Sequence, residues 1–360
     1  MPGAIAPQTE REFKIGYGEL EEGAEYYLNI SAINRVARPF IAIGHELAME
    51  QFQLSKGSLK KLVNESNLNL ALDEKDNQII IAGQDLEISF SKVSGALSSY
   101  IINGYELIKS PLMPDFWRAP TDNDFGNNMP ERCKVWKEAV TKAELKKISK
   151  TQISDKEVFI ESEIALPSIQ GLLHVDYRIF GNGQIDVAYT FNASADSLPE
   201  IPRIGMVMQL DKQIDNLQFY GRGPWENYID RKSASFVGVY QSKVADQYFA
   251  YGRPQENGHK TDVRWISLQN QTGMGLKIVA IDQPLEFNAL HVATSQLDPG
   301  LKKQLRTPLD VKEADFVELH IDHKMMGLGG DDSWGSKPHQ PYLMYANQEY
   351  KYAFTIVPTY

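Results

Sequence analysis

The sequence predicts an all-β protein built from antiparallel sheets. Short runs in which apolar and polar residues alternate recur along the chain, and this period of two is typical of half-buried strands. The runs are bounded by Gly, Asn and Asp, which are the residues that tight turns favour. Helical patterns do not alternate with the strands as they would in a parallel α/β fold, so sheet-on-sheet packing is predicted.

Four hairpins carry the clearest form of this pattern. In each of them two strand-like runs flank a short connection that contains glycine, which adopts a positive φ without steric cost. The predicted pairs are Ile79–Ala82 with Leu86–Phe90, Leu97–Ile102 with Tyr105–Ile108, Val175–Phe180 with Ile185–Phe191, and Val263–Gln269 with Gly275–Ile281. Further strands are predicted at Tyr26–Ser31, Val158–Ala165, Ile204–Leu210, Phe236–Tyr240, Phe316–His320 and Tyr350–Val357.

One helix is predicted, at Pro130–Ala143. Proline suits the first turn, where its missing N–H costs nothing, and Glu131 lies at the positive end of the helix dipole. The apolar residues that share one face of this helix are Val135, Trp136, Ala139 and Val140.

The composition excludes several classes of partner and site. The net charge of −10, from 37 basic and 47 acidic residues, argues against nucleic acid as a partner. The single cysteine, Cys133, excludes an internal disulfide framework and a cysteine-based zinc site. No apolar run approaches the roughly 18–20 residues that span a bilayer, so no membrane contact is predicted.

The chain is predicted to divide at a polar segment. Residues 56–76 are rich in Lys, Asn, Ser and Glu, and their leucines set up no sustained period. We therefore predict a partial β-sandwich segment at 1–58, a linker at 59–74 and a large β domain at 75–360. The first segment holds about three strands, too few to close a sandwich of its own.

Four loops contain residues that a plain β-sandwich does not require. The first, 115–126, contains Asp122 and Asp124, a carboxylate pair that could bind a hard cation through oxygen. The loop lacks the remaining ligand spacing of an EF-hand, so no metal is predicted there. Arg118 is expected to pair with one of the acids of this loop and to hold the loop still.

The second loop, 220–231, contains two candidate carboxylates. Glu226 and Asp230 could be the acid pair of a glycosidase. The alternative, which the spacing favours, is an ion-pair network of these acids with Arg222 and Arg231 that braces a glycine-weakened turn.

The third and fourth loops, 253–259 and 326–335, combine turn-forming residues with polar side chains. Loop 253–259 is either a capped turn or a set of groups that can hydrogen-bond hydroxyls. In loop 326–335, three glycines permit backbone conformations that other residues avoid, and acidic residues can fix the turn. Trp334 then either packs in the core or presents its ring for stacking, and an indole face complements the C–H face of a pyranose.

The histidines are interpreted as structural. His259 and His291 lie in predicted loops, and His320 and His323 are three residues apart in or near a predicted strand. No His-x-x-x-His pattern on a helix is present, so a zinc site is not expected.

These four loops, in this order, resemble the C-terminal region of the large β-galactosidases of glycoside hydrolase family 2. The motifs are Phe-Trp-Arg-Ala-Pro-Thr-Asp-Asn-Asp (116–124), Gly-Pro-Trp-Glu-Asn-Tyr-Ile-Asp-Arg (223–231), Pro-Gln-Glu-Asn-Gly (254–258) and Gly-Gly-Asp-Asp-Ser-Trp-Gly (329–335). The resemblance covers about residues 75–360. Residues 6–54, notably 39–54, resemble the closing half of the immunoglobulin-like sandwich that precedes this region in the family.

The resemblance implies a fold and a division of roles. The fold is a large antiparallel supersandwich of the galactose mutarotase kind, preceded by a partial immunoglobulin-like segment. In the family, the catalytic glutamates and the ligands of magnesium and sodium lie on an upstream (β/α)8 barrel, so this chain is expected to hold no catalytic residue and to bind no metal or cofactor of its own. The residues expected to bind substrate, with Trp334 stacking on the sugar, are Asp331, Asp332, Ser333 and Trp334. The residues expected to brace the mouth of the site are Arg118, Asp122, Asn123, Asp124, Glu226, Asn227, Asp230, Arg231, Glu256 and Asn257.

The function implied by the resemblance is that of the C-terminal, non-catalytic portion of a retaining β-galactosidase, which hydrolyses terminal β-D-galactosides. The expected partners are the catalytic barrel and the remaining sandwich domains of the same enzyme, together with the β-galactoside, and a homo-oligomer is a further expectation. The preferred galactoside and the cellular compartment stay open.

Two alternatives remain at this point. The chain could be the natural small subunit of a two-chain β-galactosidase, although a subunit that begins in a partial sandwich would expose strand edges. It could also be a mutarotase-like epimerase, which would need a histidine acid facing a glutamate base. The candidates for those two groups are His174, His291, His320 and Glu286.

Overall fold

Antiparallel strands make up most of the regular secondary structure, and the predicted all-β class is confirmed. The computed structural model describes residues 5–64, 66–194, 197–332 and 334–360. The chain divides into two units, residues 1–58 and residues 59–360. The first unit contains one antiparallel hairpin, formed by β1 (Tyr26–Ile33) and β2 (Glu46–Ser55).

The second unit contains three antiparallel sheets. Its strands are β3 (Ala71–Glu74), β4 (Gln78–Gly83), β5 (Leu86–Ser91), β6 (Leu97–Ile102), β7 (Tyr105–Glu106), β8 (Ile108–Asp115), β9 (Glu144–Ser154), β10 (Glu157–Leu166), β11 (Gly171–Phe180), β12 (Ile185–Ala193), β13 (Arg203–Asp211), β14 (Asn216–Gly223), β15 (Phe236–Lys243), β16 (Lys260–Val263), β17 (Trp265–Gln269), β18 (Gly275–Ile281), β19 (Leu285–Leu290), β20 (Phe316–Met325) and β21 (Tyr350–Thr359). The largest sheet has the order β15-β14-β17-β18-β21-β12-β11-β10-β9, the second has the order β16-β19-β20-β13-β8, and the third has the order β3-β4-β5-β6-β7.

The core lies where the inner faces of these sheets meet. Phe219 of the nine-stranded sheet packs edge-on against Phe287 of the five-stranded sheet containing β20, with ring centroids 5.3 Å apart. Phe90 of the third sheet meets Tyr177 of the nine-stranded sheet at 4.8 Å. All four rings are at most 1% exposed, so they contribute both apolar burial and ring-pair geometry to the packing.

The predicted hairpins are present, with two corrections. The strand predicted at Tyr105–Ile108 was wrong at its end, because β7 ends at Glu106 and Ile108 begins β8 of another sheet. Strands β11 and β12 pair from Gly171 opposite Ala193 to Ile179 opposite Ile185, as their alternation predicts. The predicted strand Val263–Gln269 was wrong at its start, because Val263 belongs to β16 and only Trp265–Gln269 forms β17. The chain changes sheets between these strands, after a positive φ of 52° at Asp262, and apolar alternation alone does not reveal such a crossing.

The predicted helix is also corrected. It is two helices, α2 (Met129–Arg132) and α3 (Lys134–Thr141), which follow α1 (Asp122–Gly126), while α4 (Thr294–Leu297) lies further along the chain. The break falls at Cys133, whose ψ of 5° leaves the α-helical region. Cys133 and Trp136 are both fully buried, so core packing outweighs helix continuity at this point.

Residues 59–74 lie in the second unit. Leu59 packs against its core, Leu70 is buried, and the Leu70 N–H donates to the carbonyl of Asp155 at 2.7 Å. Apolar anchoring of this kind explains how a polar segment becomes part of the large unit.

Among the described residues, no helix is long and apolar enough to cross a membrane.

Candidate functional site

The four loops that the sequence singles out meet at one end of the second unit. They line two neighbouring cavities, of about 370 Å³ and about 150 Å³, which share Asn123, Arg231 and Leu328. The other residues that line the larger cavity are Asp230, Gly329, Gly330, Asp331, His339 and Tyr342. The other residues that line the smaller cavity are Thr121, Asp122, Tyr251, Gln255 and Glu256. Segments more than 200 residues apart in the sequence therefore line the same pair of cavities.

The first loop is held by a buried ion pair. Arg118 and Asp124 are both 0% exposed, and their two nitrogens and two oxygens form a forked pair in which Nη2 lies 3.0 Å from Oδ1. Asp124 also accepts the N–H of Thr121 at 2.7 Å and its hydroxyl at 2.9 Å, which caps α1. Burial lowers the pKa of Arg118, but the attraction of Asp124 outweighs it and the pKa is raised. The predicted pairing of Arg118 with an acid of its own loop is confirmed.

The neighbouring carboxylate, Asp122, faces different partners. Its Oδ1 lies 2.8 Å from Nε of Arg253 and 2.6 Å from Nζ of Lys303. Burial alone would raise the pKa of Asp122. The hydrogen bonds from these two cations outweigh burial, so the pKa lies below its ordinary value. Both carboxylates of the suspected cation pair are thus engaged by cationic side chains. Within the described ranges, no group of three or more His, Cys, Asp or Glu residues is arranged to hold a metal ion.

The second loop forms only part of the predicted ion-pair network. Arg231 pairs with Glu226 at 2.7 Å, and its guanidinium lies 5.1 Å from the ring centre of Tyr228. Arg222 instead pairs with Asp262 at 2.5 Å, so its predicted place in this network was wrong.

Glu226 also accepts hydrogen bonds from residues outside the second loop. It accepts the hydroxyl of Tyr251 and, at 2.8 Å, the N–H of Gly258. Asn227, fully buried, accepts both the N–H and the hydroxyl of Thr261, at 3.0 Å and 2.6 Å. These contacts tie the second loop to the third.

The third loop directs its polar groups into the protein. Glu256, Asn257 and His259 are at most 4% exposed. Asn257 accepts the N–H of Phe249 at 3.1 Å, and its amide group donates to the carbonyl of Gln255 at 2.9 Å. Of the two interpretations left open for this loop, the capped turn is the one that the contacts support.

The fourth loop lies across the larger cavity and exposes its tryptophan. The N–H of Gly329 donates to Oδ2 of Asp230 at 2.9 Å, and Asp331 pairs with His339 at 2.8 Å. Trp334 is 86% exposed, so it is not a core residue. Ser333, expected to bind substrate, lies outside the described residues.

Asp332, also expected to bind substrate, directs its carboxylate toward the backbone of its own loop. Its Oδ1 accepts the N–H groups of Trp334, Gly335 and Ser336, at 2.8, 3.1 and 3.3 Å. These hydrogen bonds to the ionised form lower the pKa of Asp332. The turn that carries the indole is therefore fixed by a carboxylate.

Sequence reasoning missed a buried polar cluster in the five-stranded sheet that contains β20. Arg203 is completely buried, and its Nη1 lies 3.1 Å from Oδ2 of Asp115 and 2.6 Å from Nδ1 of His320. Asp322 is also completely buried, and burial raises its pKa to about 7. The available signal was the run of polar residues at every second position of β20, Glu318, His320 and Asp322, since a strand buried on both faces is usually apolar.

Among the described residues, no hydrogen bond or ion pair joins the epimerase candidate Glu286 to the other three, His174, His291 or His320, although Glu286 and His320 lie on the paired strands β19 and β20. Glu286 accepts the Met325 N–H at 2.8 Å and lies 3.0 Å from Nε2 of His259, a histidine that was not among the candidates. His291 lies beside Asp215 at 3.1 Å. His320 belongs to the Arg203 cluster, and His174 lies on β11 of the nine-stranded sheet. The predicted structural role of His259, His291 and His320 agrees with their burial and hydrogen bonds.

Comparisons with known proteins give consistent family matches. A family model described as the β-galactosidase small chain matches residues 82–356, and a model described as β-galactosidase domain 4 matches residues 1–55. A β-galactosidase of Priestia megaterium is 34% identical over 357 residues, which cover 98% of this chain and 34% of that protein. A β-galactosidase of Halalkalibacterium halodurans is 29% identical over 360 residues, with the same coverage. The chain thus spans about a third of the length of these curated relatives.

Among solved structures, galactose 1-epimerase from Lactobacillus acidophilus aligns with 81% of this chain and 98% of its own. The identity is 7% and the TM-score is 0.41, a likeness too distant to support any argument about function.

Proposed function

The chain belongs to the β-galactosidase small-chain family, and on that premise we propose that it is the C-terminal, non-catalytic portion of a retaining β-galactosidase. In this role it provides one wall of the sugar cleft. The rest of the enzyme provides the groups that break the glycosidic bond of a terminal β-D-galactoside.

The exposure of Trp334 is the observation that carries this proposal. A large indole that is 86% exposed on a turn fixed by Asp332 loses little further conformational freedom when a ligand stacks on it. Next to this turn lies a cavity of about 370 Å³, in which Asp331 and His339 can accept and donate hydrogen bonds to hydroxyls. An apolar ring beside such groups is the combination that a pyranose requires.

The engagement of the acidic side chains supports the non-catalytic part of the proposal. Retaining glycosidases need two carboxyl groups about 5–5.5 Å apart across the bond that they cleave. In this chain Glu226 is bonded to Arg231, Tyr251 and the backbone of the third loop, and Asp230 is bonded to the backbone of the fourth. Acids held in this way act as braces, so we assign the acid and the nucleophile to the part of the enzyme outside this chain.

Magnesium and sodium, which the family resemblance implies for the complete enzyme, do not fit the acids described here. Asp122 and Asp124, the closest approach to a hard-cation pair, are neutralised by Lys303, Arg253 and Arg118. We therefore assign both ions to the catalytic barrel outside this chain.

Replacement of Trp334 in the complete enzyme tests the proposal. Trp334→Ala should raise the KM for a disaccharide β-galactoside about tenfold, since loss of about 1.4 kcal/mol of stacking corresponds to that factor. The kcat for a galactoside with a small leaving group should change little, because stacking does not contribute to bond cleavage.

Trp225→Ala is the matched control, because Trp225 is also exposed, at 63%, but lies on the second loop and lines neither cavity. Trp225→Ala should leave the KM for the disaccharide unchanged. The proposal fails if Trp334→Ala also leaves this KM unchanged, or if Trp334→Ala does not fold and so places the ring in a structural role.

A further inference from the structure

The fourth loop, 326–335, which carries Trp334, is held at its base by groups from three other segments of the chain. After β20 ends at Met325, the carbonyl of Gly327 accepts Nη2 of Arg118 at 3.3 Å, and the Gly327 N–H donates to the carbonyl of Tyr342 at 2.9 Å. Two residues later, the N–H of Gly329 donates to Oδ2 of Asp230 at 2.9 Å. The backbone is therefore fixed before the loop reaches its tip.

The Asp230 carboxylate also packs so closely against Gly327 that it leaves little room for a side chain there. A Cβ added to Gly327 would lie 2.6 Å from Oδ2 of Asp230 and 2.8 Å from its Cγ, closer than real contacts allow. Gly327 has no positive φ, so glycine is required here for space and not for backbone conformation. One carboxylate oxygen thus accepts a hydrogen bond from the loop at Gly329 and packs against the loop at Gly327.

A second close approach fixes the tip of the loop. A Cβ added to Gly126, at the end of α1, would lie 3.0 Å from the carbonyl carbon and oxygen of Trp334. The tip therefore rests on the first loop, while Asp332 fixes the turn itself. The fourth loop is thus anchored at its tip by the first loop and at its base by Arg118, Tyr342 and the Asp230 carboxylate.

We infer that Asp230 is a positioning residue for Trp334, an inference that rests on the proposed function. Its carboxylate takes no part in the reaction of the sugar. It holds the fourth loop so that the indole of Trp334 lies at stacking distance from a bound disaccharide. Because a displacement of about 1 Å in a positioned group can cost two orders of magnitude in rate, loss of even one anchor at the loop base should have a measurable effect.

The position of Trp334 can be measured directly on the 360-residue chain. Incorporation of 5-fluorotryptophan gives one ¹⁹F signal for each of the five tryptophans, and Trp334→Phe identifies the signal of Trp334. Asp230→Ala should shift or narrow this signal and leave the other four in place. Asp230→Asn should restore it, since the amide oxygen can still accept the Gly329 N–H. Asp215→Ala is the matched control, because Asp215 pairs with Lys243 and His291, which line a different cavity.

A double-mutant cycle separates this contact from general destabilisation. Gly327→Ala places a methyl group against the Asp230 carboxylate and should perturb the Trp334 signal by itself. In the Asp230→Ala background the same methyl group meets no carboxylate and keeps only the milder contact with Cβ of Tyr342 at 3.0 Å, so it should perturb the signal much less than in the wild-type background. Strictly additive changes in the signal would overturn the inference, and Gly327→Ala still tests the contact if Asp230→Ala does not fold.

Kinetics of the complete enzyme distinguish this inference from the proposed function. Asp230→Ala should raise the KM for a disaccharide galactoside about tenfold, the value of one lost anchoring hydrogen bond, while the kcat for a small-aglycone galactoside stays near wild type. If Trp334→Ala raises the KM but Asp230→Ala changes neither the KM nor the Trp334 signal, the inference fails and the proposed function stands. If Trp334→Ala itself has no effect on the KM, the proposed function fails.

Discussion

The buried pair of Arg118 and Asp124 should make a large contribution to the stability of the second unit, to which the four loops belong. Asp124→Ala removes a carboxylate that accepts four hydrogen bonds, two from Arg118 and two from Thr121. Both members of the pair are 0% exposed, so the variant leaves a guanidinium buried without its counter-charge. Removal of one partner of a buried pair costs about 3–5 kcal/mol, which is a large share of a typical unfolding free energy of about 5–15 kcal/mol.

Urea denaturation followed by tryptophan fluorescence measures this loss, because all five tryptophans lie in the second unit. The midpoint should fall while the m-value stays unchanged, since the variant alters stability and not the surface exposed on unfolding. Asp122→Ala is the matched control in the same helical turn. Its side chain is 45% exposed and pairs with the half-exposed Lys303 and with Arg253. Arg253 keeps its hydrogen bonds to the carbonyls of Pro254 and Pro120 when this carboxylate is removed, so the loss should stay below about 1 kcal/mol. Equal losses in the two variants, or a loss below about 1 kcal/mol for Asp124→Ala, would refute the reasoning.

Two further predictions concern the five-stranded sheet that contains β20. Burial raises the pKa of Glu286 from 4.5 to about 8, so the folded state keeps a proton that the unfolded state has already released, and stability should fall as the pH rises from about 4.5 to 8. Glu286→Gln should flatten this slope in a series of denaturation curves, and an unchanged slope would contradict the assignment. Gly205→Ala should cost about 1–3 kcal/mol, because the new methyl group would overlap the buried Asp322 carboxylate, whereas Gly252→Ala, with nothing within 4 Å, should be close to neutral in the same assay.

Much of the fold follows from local pattern. The hairpin of β11 and β12 forms where it was predicted, because apolar and polar residues largely alternate in both strands and their connection contains a glycine with a φ of 85°. The prediction failed where long-range packing overrides local pattern. Val263 continues the alternation of β17 in sequence but pairs with Leu285 in another sheet. The helix predicted over 130–143 breaks at Cys133, which lies in the core.

The site was predictable in composition but not in contacts. Turn formers and paired charges marked all four loops, and Arg118 pairs within its own loop as expected. Nothing in the spacing indicates that Asp230 would accept a hydrogen bond from Gly329, since the two residues are 99 positions apart and meet only through the tertiary fold. Likewise, Trp334 could not be assigned to core or surface from its neighbours, because glycines permit both arrangements.

Hydrolysis by the purified 360-residue chain tests the central claim most directly. The chain presents an exposed indole beside a polar cavity, while its carboxylates Glu226 and Asp230 are engaged in bracing the loops. With a chromogenic β-galactoside as substrate, we expect this chain to show no turnover above a blank carried through the same purification. Turnover that persists through purification and disappears in Glu226→Gln or Asp230→Asn would contradict the account, because it would place the bond-breaking groups in this chain.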